Sequence, residues 1–307
     1  MLIYAVRRLG SAIPTLLIIV TIAFFMMRLA PGGPFDREKQ LSPEIEANIL
    51  KAYNLDKPLY RQYLDYLGNI VHGDFGPSYK YLDFTVTDLI VAGFPVSLRL
   101  GLSAILLAVI LGVTAGTIAA LKQNTTFDYL IMGLAMTGIA IPNFVMAPML
   151  ALIFGVYLSL LPVAGWGGGA LRYQILPVVT LALPQIAYIA RMTRGSMVET
   201  MHSNFIRTAR AKGLAEHVVV LRHALKGGLL PVVSYLGPAT AAVITGSVVI
   251  ESIFDVPGIG RYFVTGALNR DYPVVMGVVI FYAVLIIALN LMVDLVYGFL
   301  DPRVKVE

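Results

Sequence analysis

The chain has 307 residues, of which 58% are hydrophobic and 13% charged, and its mean hydropathy is +0.79. A soluble domain usually carries about 25% charged residues, so the composition excludes an ordinary soluble protein and favours a membrane protein. The formal net charge of +5 is too small and too unevenly distributed to indicate a nucleic-acid-binding protein. The chain contains no cysteine, which excludes disulfides and thiolate metal sites.

Six stretches are long and apolar enough to cross a membrane, which takes about 20 residues. They are residues 10–30, 96–121, 129–160, 175–192, 230–252 and 274–299. The first could pass for a signal peptide, but its apolar run is too long and lacks a small-residue cleavage site, so an uncleaved span is predicted. The third is overlong and contains Pro142 and Pro148, which predict a kinked or partly interfacial segment.

Lys and Arg are concentrated in the connections that become cytoplasmic when the amino terminus is inside, as the positive-inside rule requires. The sequence therefore predicts an all-α integral membrane protein with six transmembrane helices and both termini in the cytoplasm. Its predicted divisions are residues 1–30 (cytoplasmic amino terminus and first span), 31–95 (extracytoplasmic segment), 96–302 (five-span core) and 303–307 (cytoplasmic tail).

The outer segment, residues 31–95, contains predicted short helices. Ser42 followed by Pro43 has the pattern of an N-cap with proline in the first helical position, and this helix is expected to end near Asn54. A second helix is predicted from Pro58, followed by a turn at 73–77. A third, amphipathic stretch around 86–94 is predicted to lie on the outer membrane surface. The segment either docks an extracytoplasmic partner or is a structural cap, and both interpretations stay open.

The cytoplasmic connection at about 193–228 is unusually long for a compact helical protein, which indicates a function. Two helical pieces are predicted, at about 196–212 and 215–226. Gly213 divides them, because glycine permits a left-handed backbone and a sharp change of direction. A short helix across the base of the bundle would fit a groove on a soluble partner and convert that partner's movement into a tilt of the spans.

This connection resembles the EAA loop of ABC-importer membrane subunits, whose pattern is Glu-Ala-Ala, a glycine four positions after the second alanine, and a later Leu-Pro. The aligned positions are Arg207, Thr208 and Ala209 for Glu-Ala-Ala, Gly213 for the glycine, and Leu225 and Lys226 for Leu-Pro. The second alanine, the glycine and the leucine are retained. The variant FIRTARAKGL…LRHAL is similar to the peptide/nickel branch of these permeases.

Five further blocks resemble the B-type membrane subunit of bacterial oligopeptide importers, and the similarity extends over residues 1–302. The blocks are IPTLLIIVTIAFFMMRLAPGGPF, HGDFGPSYKY, AALKQNTTFDY, GSVVIESIFDVPGIGRYF and GALNRDYP. The resemblance implies a type I ABC importer permease fold in the bacterial inner membrane, with a second homologous permease, two ATP-hydrolysing subunits and an extracytoplasmic peptide-binding protein. By the same resemblance the chain binds no cofactor of its own, and the partner subunits use ATP and Mg.

The resemblance also implies the cargo and the docking residues. The expected cargo is an oligopeptide, while relatives carry dipeptides, nickel chelates or glutathione. The binding protein is expected to dock on residues 31–95 and on the loop 255–260. Because an arginine cannot form the ion pair credited to the family's glutamate, ATPase docking is assigned to a helix surface. Its residues are Arg207, Thr208, Ala209, Arg210, Lys212, Gly213 and Leu214.

Other functional classes are poorly supported. No lysine is followed by Ser or Thr, as a phosphate-binding loop requires. An ion-coupled secondary transporter is the alternative from another class, but such carriers place ionisable groups deep within their spans, and here only a few carboxylates lie near the span ends. Two of them, Glu251 and Asp255, are candidates for the substrate pathway, with interfacial anchoring or interhelical hydrogen bonding as the alternative. No metal-binding or catalytic motif is present, so no enzymatic activity is predicted.

Overall fold

A computed structural model describes the backbone of residues 2–29, 56–81 and 83–300, and the side chains of 10–29, 56–81 and 83–292. Regular structure in these ranges is helical, apart from one isolated bridge between Pro77 and Thr85. The α-helices are α1 (Leu2–Leu29), α2 (Leu59–Val71), α3 (Val86–Leu121), α4 (Thr126–Ala140), α5 (Asn143–Leu150), α6 (Leu171–Met201), α7 (Asn204–Ala211), α8 (Glu216–Val218), α9 (Leu225–Gly228), α10 (Leu230–Gly246), α11 (Val248–Ile253), α12 (Ile259–Asn269) and α13 (Tyr272–Leu300). Two π-helical segments, Ala151–Tyr157 and Val219–Ala224, follow α5 and α8.

Within the described ranges, five stretches of helix are long and apolar enough to cross a membrane, and a bent pair brings the number to six if the pair forms one span. The stretches are Gly10–Leu29, Val86–Leu121, Leu171–Met201, Leu230–Ile253 and Tyr272–Met292, and the pair is Thr126–Ala140 with Asn143–Tyr157. The two members of the pair meet at 104°, which confirms the kink predicted for the third apolar segment. The break falls at Ile141, which is extended because the ring of Pro142 disfavours a helical conformation in the residue before it.

The chain divides into two compact units, and the first comprises Met1–Ser97 with Pro257–Ala288. Its core contains Val86, Leu89 and Ile90, each at most 5% exposed, packed with Ile259 and Val274. The prediction that residues 86–94 lie on the membrane surface is therefore wrong. The side chains of Val86, Leu89 and Ile90 are buried within the protein, and α3 continues through them without a break.

Elsewhere in the first unit, α2 packs on α1. Phe24 is 1% exposed, and its ring centroid lies 5.4 Å from that of Tyr63 and 5.8 Å from that of Tyr66. The helix predicted from Pro58 is confirmed as α2, and Gly73 and Gly76 adopt φ values of +77° and +87° in the predicted turn. The helix predicted after Ser42 and the tail 303–307 lie outside the described residues.

The second unit comprises Leu98–Val256 with Leu289–Glu307. Within it α3 approaches α6 at two glycines one helical turn apart. A side chain at Gly112 would place its first carbon 2.8 Å from Cβ of Ile189, and one at Gly116 would lie 2.7 Å from Cβ of Thr193. Glycines at this spacing let two membrane helices approach closely and gain van der Waals contact. This contact fixes α3 against the helix that leads into the connection at 202–229.

Candidate coupling loop

The helix of the fourth apolar segment extends beyond residue 192, where the sequence places the end of the span, since α6 continues as one helix to Met201. A turn at His202 and Ser203 then ends it, and the hydroxyl of Ser203 donates to the carbonyl oxygen of Thr200 at 2.6 Å. The prediction of a single helical piece at 196–212 is therefore wrong: this turn separates α6 from α7. The sequence signal for the break was Ser203 followed by Asn204, both residues that favour helix starts.

The short helix α7 is held by one apolar face. Ile206 is fully buried and Ala209 is 6% exposed, and their spacing places both on the same side of the helix. They pack in a cluster whose buried members are Ala120, Met197, Ile206, Ala209, Val219, Val220 and Ala224. An isolated helix of eight residues is not stable in water, so this burial holds α7 in its orientation.

The opposite face of α7 is exposed to solvent. Six of the seven predicted docking residues are exposed, namely Arg207, Thr208, Arg210, Lys212, Gly213 and Leu214. The seventh, Ala209, belongs to the buried face. Its side chain packs in the buried cluster and helps to hold α7 in place.

Gly213 has φ +76°, which confirms the predicted left-handed backbone between the two pieces of the loop. Its N–H donates to the carbonyl oxygen of Arg210 at 2.9 Å, while that of Lys212 donates to Thr208 at 3.1 Å. A Cβ added at Gly213 would meet no atom within 4 Å, so the glycine is needed for its backbone conformation and not for space.

Arg210 and Glu216 join the two sides of this turn. The guanidinium donates to both carboxylate oxygens of Glu216, at 2.6 and 3.1 Å. These hydrogen bonds hold the pKa of Glu216 below its ordinary value. Both side chains are solvent-exposed, at 45% and 57%, so water and salt weaken the pair, and its main effect is to orient the turn.

A buried ion pair, which the sequence does not predict, fixes the carboxyl-terminal part of α6. The guanidinium of Arg194 donates to both oxygens of Asp128, each at 2.6 Å, and the N–H of Asn124 donates to the same carboxylate at 2.9 Å. The side chain of Asp128 is 1% exposed and that of Arg194 is 28% exposed. The pair ties the start of α4 to α6 seven residues before α6 ends. The positive-inside rule alone would account for Arg194. The sequence signal for a partner is Asp128, a lone acidic residue at the start of the apolar helix α4, although this signal does not identify Arg194 as the partner.

The two candidates for the substrate pathway lie elsewhere in the second unit. Glu251 is fully buried in α11 and accepts a hydrogen bond from the hydroxyl of Ser247 at 2.6 Å. Asp255 lies in the turn after α11, is exposed, and has φ +52°. The structure thus separates them: one carboxylate is enclosed by the protein and the other faces solvent. Among the described residues no group of three or more His, Asp or Glu side chains could hold a metal ion.

Comparison with known proteins assigns the fold and the family. Residues 112–306 match the family "Binding-protein-dependent transport system inner membrane component", and residues 1–101 match its companion amino-terminal family. The chain belongs to this family. Its members are inner-membrane components of transport systems that depend on a binding protein, in agreement with the apolar helices described above.

Curated relatives match over the full length of the chain. The oligopeptide transport system permease protein OppB of Escherichia coli (strain K12) is 58% identical over 305 residues, which is 99% of this chain and 100% of that protein. The protein of the same name from Haemophilus influenzae is 53% identical over the same shares. The dipeptide transport system permease protein DppB of Bacillus subtilis (strain 168) is 45% identical over 304 residues, 99% of this chain and 98% of that protein.

Two solved ABC transporters share the fold. The MetNI methionine ABC transporter in inward-facing conformations gives a TM-score of 0.57 at 15% identity, covering 69% of this chain and 96% of that chain. An amino acid ABC transporter with histidines gives 0.53 at 15% identity, covering 69% and 94%. The predicted type I ABC importer permease fold and the predicted family are confirmed. This permease family is the membrane component of ABC importers, in which partner subunits use the ATP.

Proposed function

We propose that this permease forms part of the transmembrane pathway of an ATP-driven oligopeptide importer, and that residues 204–214 transmit the movement of a partner ATPase to the spans. In this assembly a second homologous permease completes the pathway, two ATPase subunits dock in the cytoplasm, and an extracytoplasmic peptide-binding protein delivers the cargo. Both termini of the permease are cytoplasmic. The chain itself binds no cofactor and catalyses no reaction.

The oligopeptide cargo is supported by the order of similarity among the relatives. The two oligopeptide permeases are 58% and 53% identical to this chain, whereas the dipeptide permease of B. subtilis is 45% identical. All three match over nearly their whole length, so the difference does not come from partial coverage. Among these relatives, dipeptides are therefore the second-ranked cargo.

The coupling proposal rests on the way α7 is attached to the second unit. Ile206 and Ala209 pack in a buried cluster of that unit, and the face of α7 opposite them is exposed and basic. A helix attached through one face moves with the helices that hold it. A force applied by a partner to Arg207 or Arg210 would therefore pass directly to α6 through the buried cluster around Met197.

The position where the family pattern has glutamate is occupied by Arg207, which is exposed on α7. An arginine there would attract an acidic surface on the ATPase. The permease is therefore expected to supply the positive charge of the docking contact, where the family pattern supplies a negative one. Lys212, which is also exposed, contributes the same charge at the end of the helix. Docking is thus a property of a basic surface, and no single ion pair carries it.

The test replaces Gly213 by leucine in the complete complex reconstituted with its binding protein. A non-glycine residue in the left-handed region is strained by about 1–2 kcal/mol, which disfavours the turn that presents the end of α7. We expect normal insertion but a loss of at least about fivefold in peptide uptake per ATP hydrolysed, since a 1 kcal/mol bias changes a two-state population about fivefold.

The matched control is Gly168→Leu. Gly168 lies outside the coupling loop and has φ +64°, and a Cβ added there would likewise meet no atom within 4 Å, so the backbone strain is similar. Coupling should be normal in this variant. Equal loss of coupling in both variants, or normal coupling in Gly213→Leu, would show that the turn does not serve ATPase docking.

A further inference from the structure

A basic cleft opens beside the coupling loop, where α9 leads into α10. Its volume is about 690 Å³. Its lining combines Arg222, His223 and Lys226 with apolar residues, including Phe205 and Leu230. None of the described carboxylates lines it. The cleft therefore combines positive charge with exposed apolar side chains, and exposed apolar surface rimmed by polar residues often marks a binding site.

The cations of the cleft have no partner within the described residues. Arg222 and Lys226 form no ion pair and no side-chain hydrogen bond there, in contrast to Arg194 and Arg210, each of which binds a carboxylate at 2.6 Å. Both are exposed. Their charges are thus available to an anion from outside the chain, and nothing in the cleft repels one.

The apolar side of the cleft is exposed as well. Phe205 and Leu230 are each 52% exposed although both are large hydrophobic residues. Leu230 is also the first residue of a helical stretch, Leu230–Ile253, that is long and apolar enough to cross a membrane, so the cleft adjoins the beginning of that stretch. The positive-inside rule accounts for cations near a span end but does not account for a cleft that sets them against exposed apolar side chains.

The backbone at the cleft is irregular in a way that groups the cations. The π-helical segment Val219–Ala224 widens the helix before α9 begins at Leu225. Val219 and Val220 turn to the buried cluster, and Arg222 and Lys226 line the opening. π-helical turns are rare and frequently occur at functional sites.

We infer that this cleft binds an anionic phospholipid of the cytoplasmic leaflet, with the headgroup phosphate between Arg222 and Lys226 and an acyl chain against Phe205 and Leu230. The cytoplasmic leaflet is negatively charged, and basic pockets at its level are suited to anionic headgroups. Arginine and lysine are the side chains that best bind phosphate oxygens. The inference rests on the proposed orientation, in which the coupling loop is cytoplasmic.

The experiment measures lipid bound to the complete complex. The complex is delipidated, phosphatidylglycerol or phosphatidylcholine is titrated in, and the bound lipid is counted by native mass spectrometry. We expect phosphatidylglycerol to bind at least tenfold more tightly than phosphatidylcholine. Each cation near a headgroup contributes about 1 kcal/mol, so Arg222→Gln/Lys226→Gln should weaken phosphatidylglycerol binding on the order of tenfold or more.

Single substitutions supply the matched control. Lys226→Gln should weaken phosphatidylglycerol binding about fivefold, whereas Lys122→Gln removes the same charge from an exposed position outside the cleft and should leave binding unchanged. Equal effects of the two variants would overturn the inference, because they would show a nonspecific charge effect. Binding by the isolated permease but not by the complex would also overturn it, since a partner subunit would then cover the cleft. Competition by millimolar inorganic phosphate alone would assign the site to a free anion.

These results are independent of the cargo and of ATPase docking. Lipid binding is counted without transport, and Gly213→Leu should bind phosphatidylglycerol normally while losing coupling. If the coupling test failed and the lipid test succeeded, only the role of residues 204–214 would be withdrawn. If maleimide labelling placed the coupling loop outside the cell, both proposals would fail.

Discussion

Replacing Arg194 by methionine is expected to destabilise the second unit by about 3 kcal/mol. The substitution removes the counter-charge of the Asp128 carboxylate, which is 1% exposed, and the N–H of Asn124 at 2.9 Å is a neutral donor that cannot replace it. Breaking a buried ion pair by removing one partner typically costs about 3–5 kcal/mol. The lower end of this range applies, because Arg194 itself is 28% exposed and the site is not completely dry.

The reverse substitution should be less damaging. Asp128→Asn keeps the shape of the side chain and leaves a guanidinium that is already partly exposed and can be hydrated, so we expect a loss of about 1–2 kcal/mol. The double variant Arg194→Met/Asp128→Asn has no unpaired buried charge. It should lose about 2 kcal/mol, well below the sum of the two single losses, giving a coupling energy of about 2–3 kcal/mol.

The measurement is unfolding of the purified permease in mixed detergent–SDS micelles. Trp166 is the only tryptophan of the chain and lies in the same unit, with the guanidinium of Arg99 5.9 Å from its ring, so its fluorescence reports on this unit without a label. Additive losses in the three variants would refute the ion pair. If Arg194→Met lowered the free energy of unfolding no more than Asp128→Asn does, the predicted difference between the two single variants would be refuted.

Two further predictions concern packing and topology. Gly116→Leu should abolish folding or expression, because its side chain would collide with Thr193 and with the backbone of α6, while Gly133→Leu, where the added carbon meets no atom within 4 Å, should be tolerated; the yield of monodisperse protein distinguishes them. A cysteine replacing Asp65 should react with an impermeant maleimide in intact cells, and one replacing Ala215 should react only after permeabilisation. Both positions are exposed, and the chain has no other cysteine, so the reverse pattern would exclude the proposed orientation.

The sequence predicted the features that depend on local chemistry. The kink near Pro142 and the left-handed Gly213 follow from the covalent properties of proline and glycine, and both are confirmed. Apolar runs identified the spans for a similar reason, since the membrane imposes a length and a composition that can be read without knowing which helices touch.

The sequence failed where burial by distant segments decides the outcome. The side chains of Val86, Leu89 and Ile90 have the spacing of an amphipathic surface helix, but they are covered by residues far along the chain, such as Ile259 and Val274. The pairing of Asp128 with Arg194 joins residues 66 positions apart, and nothing local marks either as a partner of the other. The burial of Ala209 was missed for the same reason. This residue lies on one of the two faces of α7, and only tertiary packing shows which face is buried and which is exposed.

The positions of the prolines in α6 determine how far a displacement of the coupling loop can be transmitted along this helix. Its two prolines, Pro177 and Pro184, lie in its first half, and residues 185–201 form a proline-free piece about 25 Å long. This piece carries Arg194, which binds Asp128 of α4, and the contacts with Gly112 and Gly116 of α3. The adjoining parts of α3, α4 and α6 are therefore bound into one block. Bending is easiest near the prolines, where backbone hydrogen bonds are missing. We therefore expect the part of α6 after Pro184, with the parts of α3 and α4 bound to it, to move as one body when the coupling loop is displaced, and the bending to be concentrated near the two prolines.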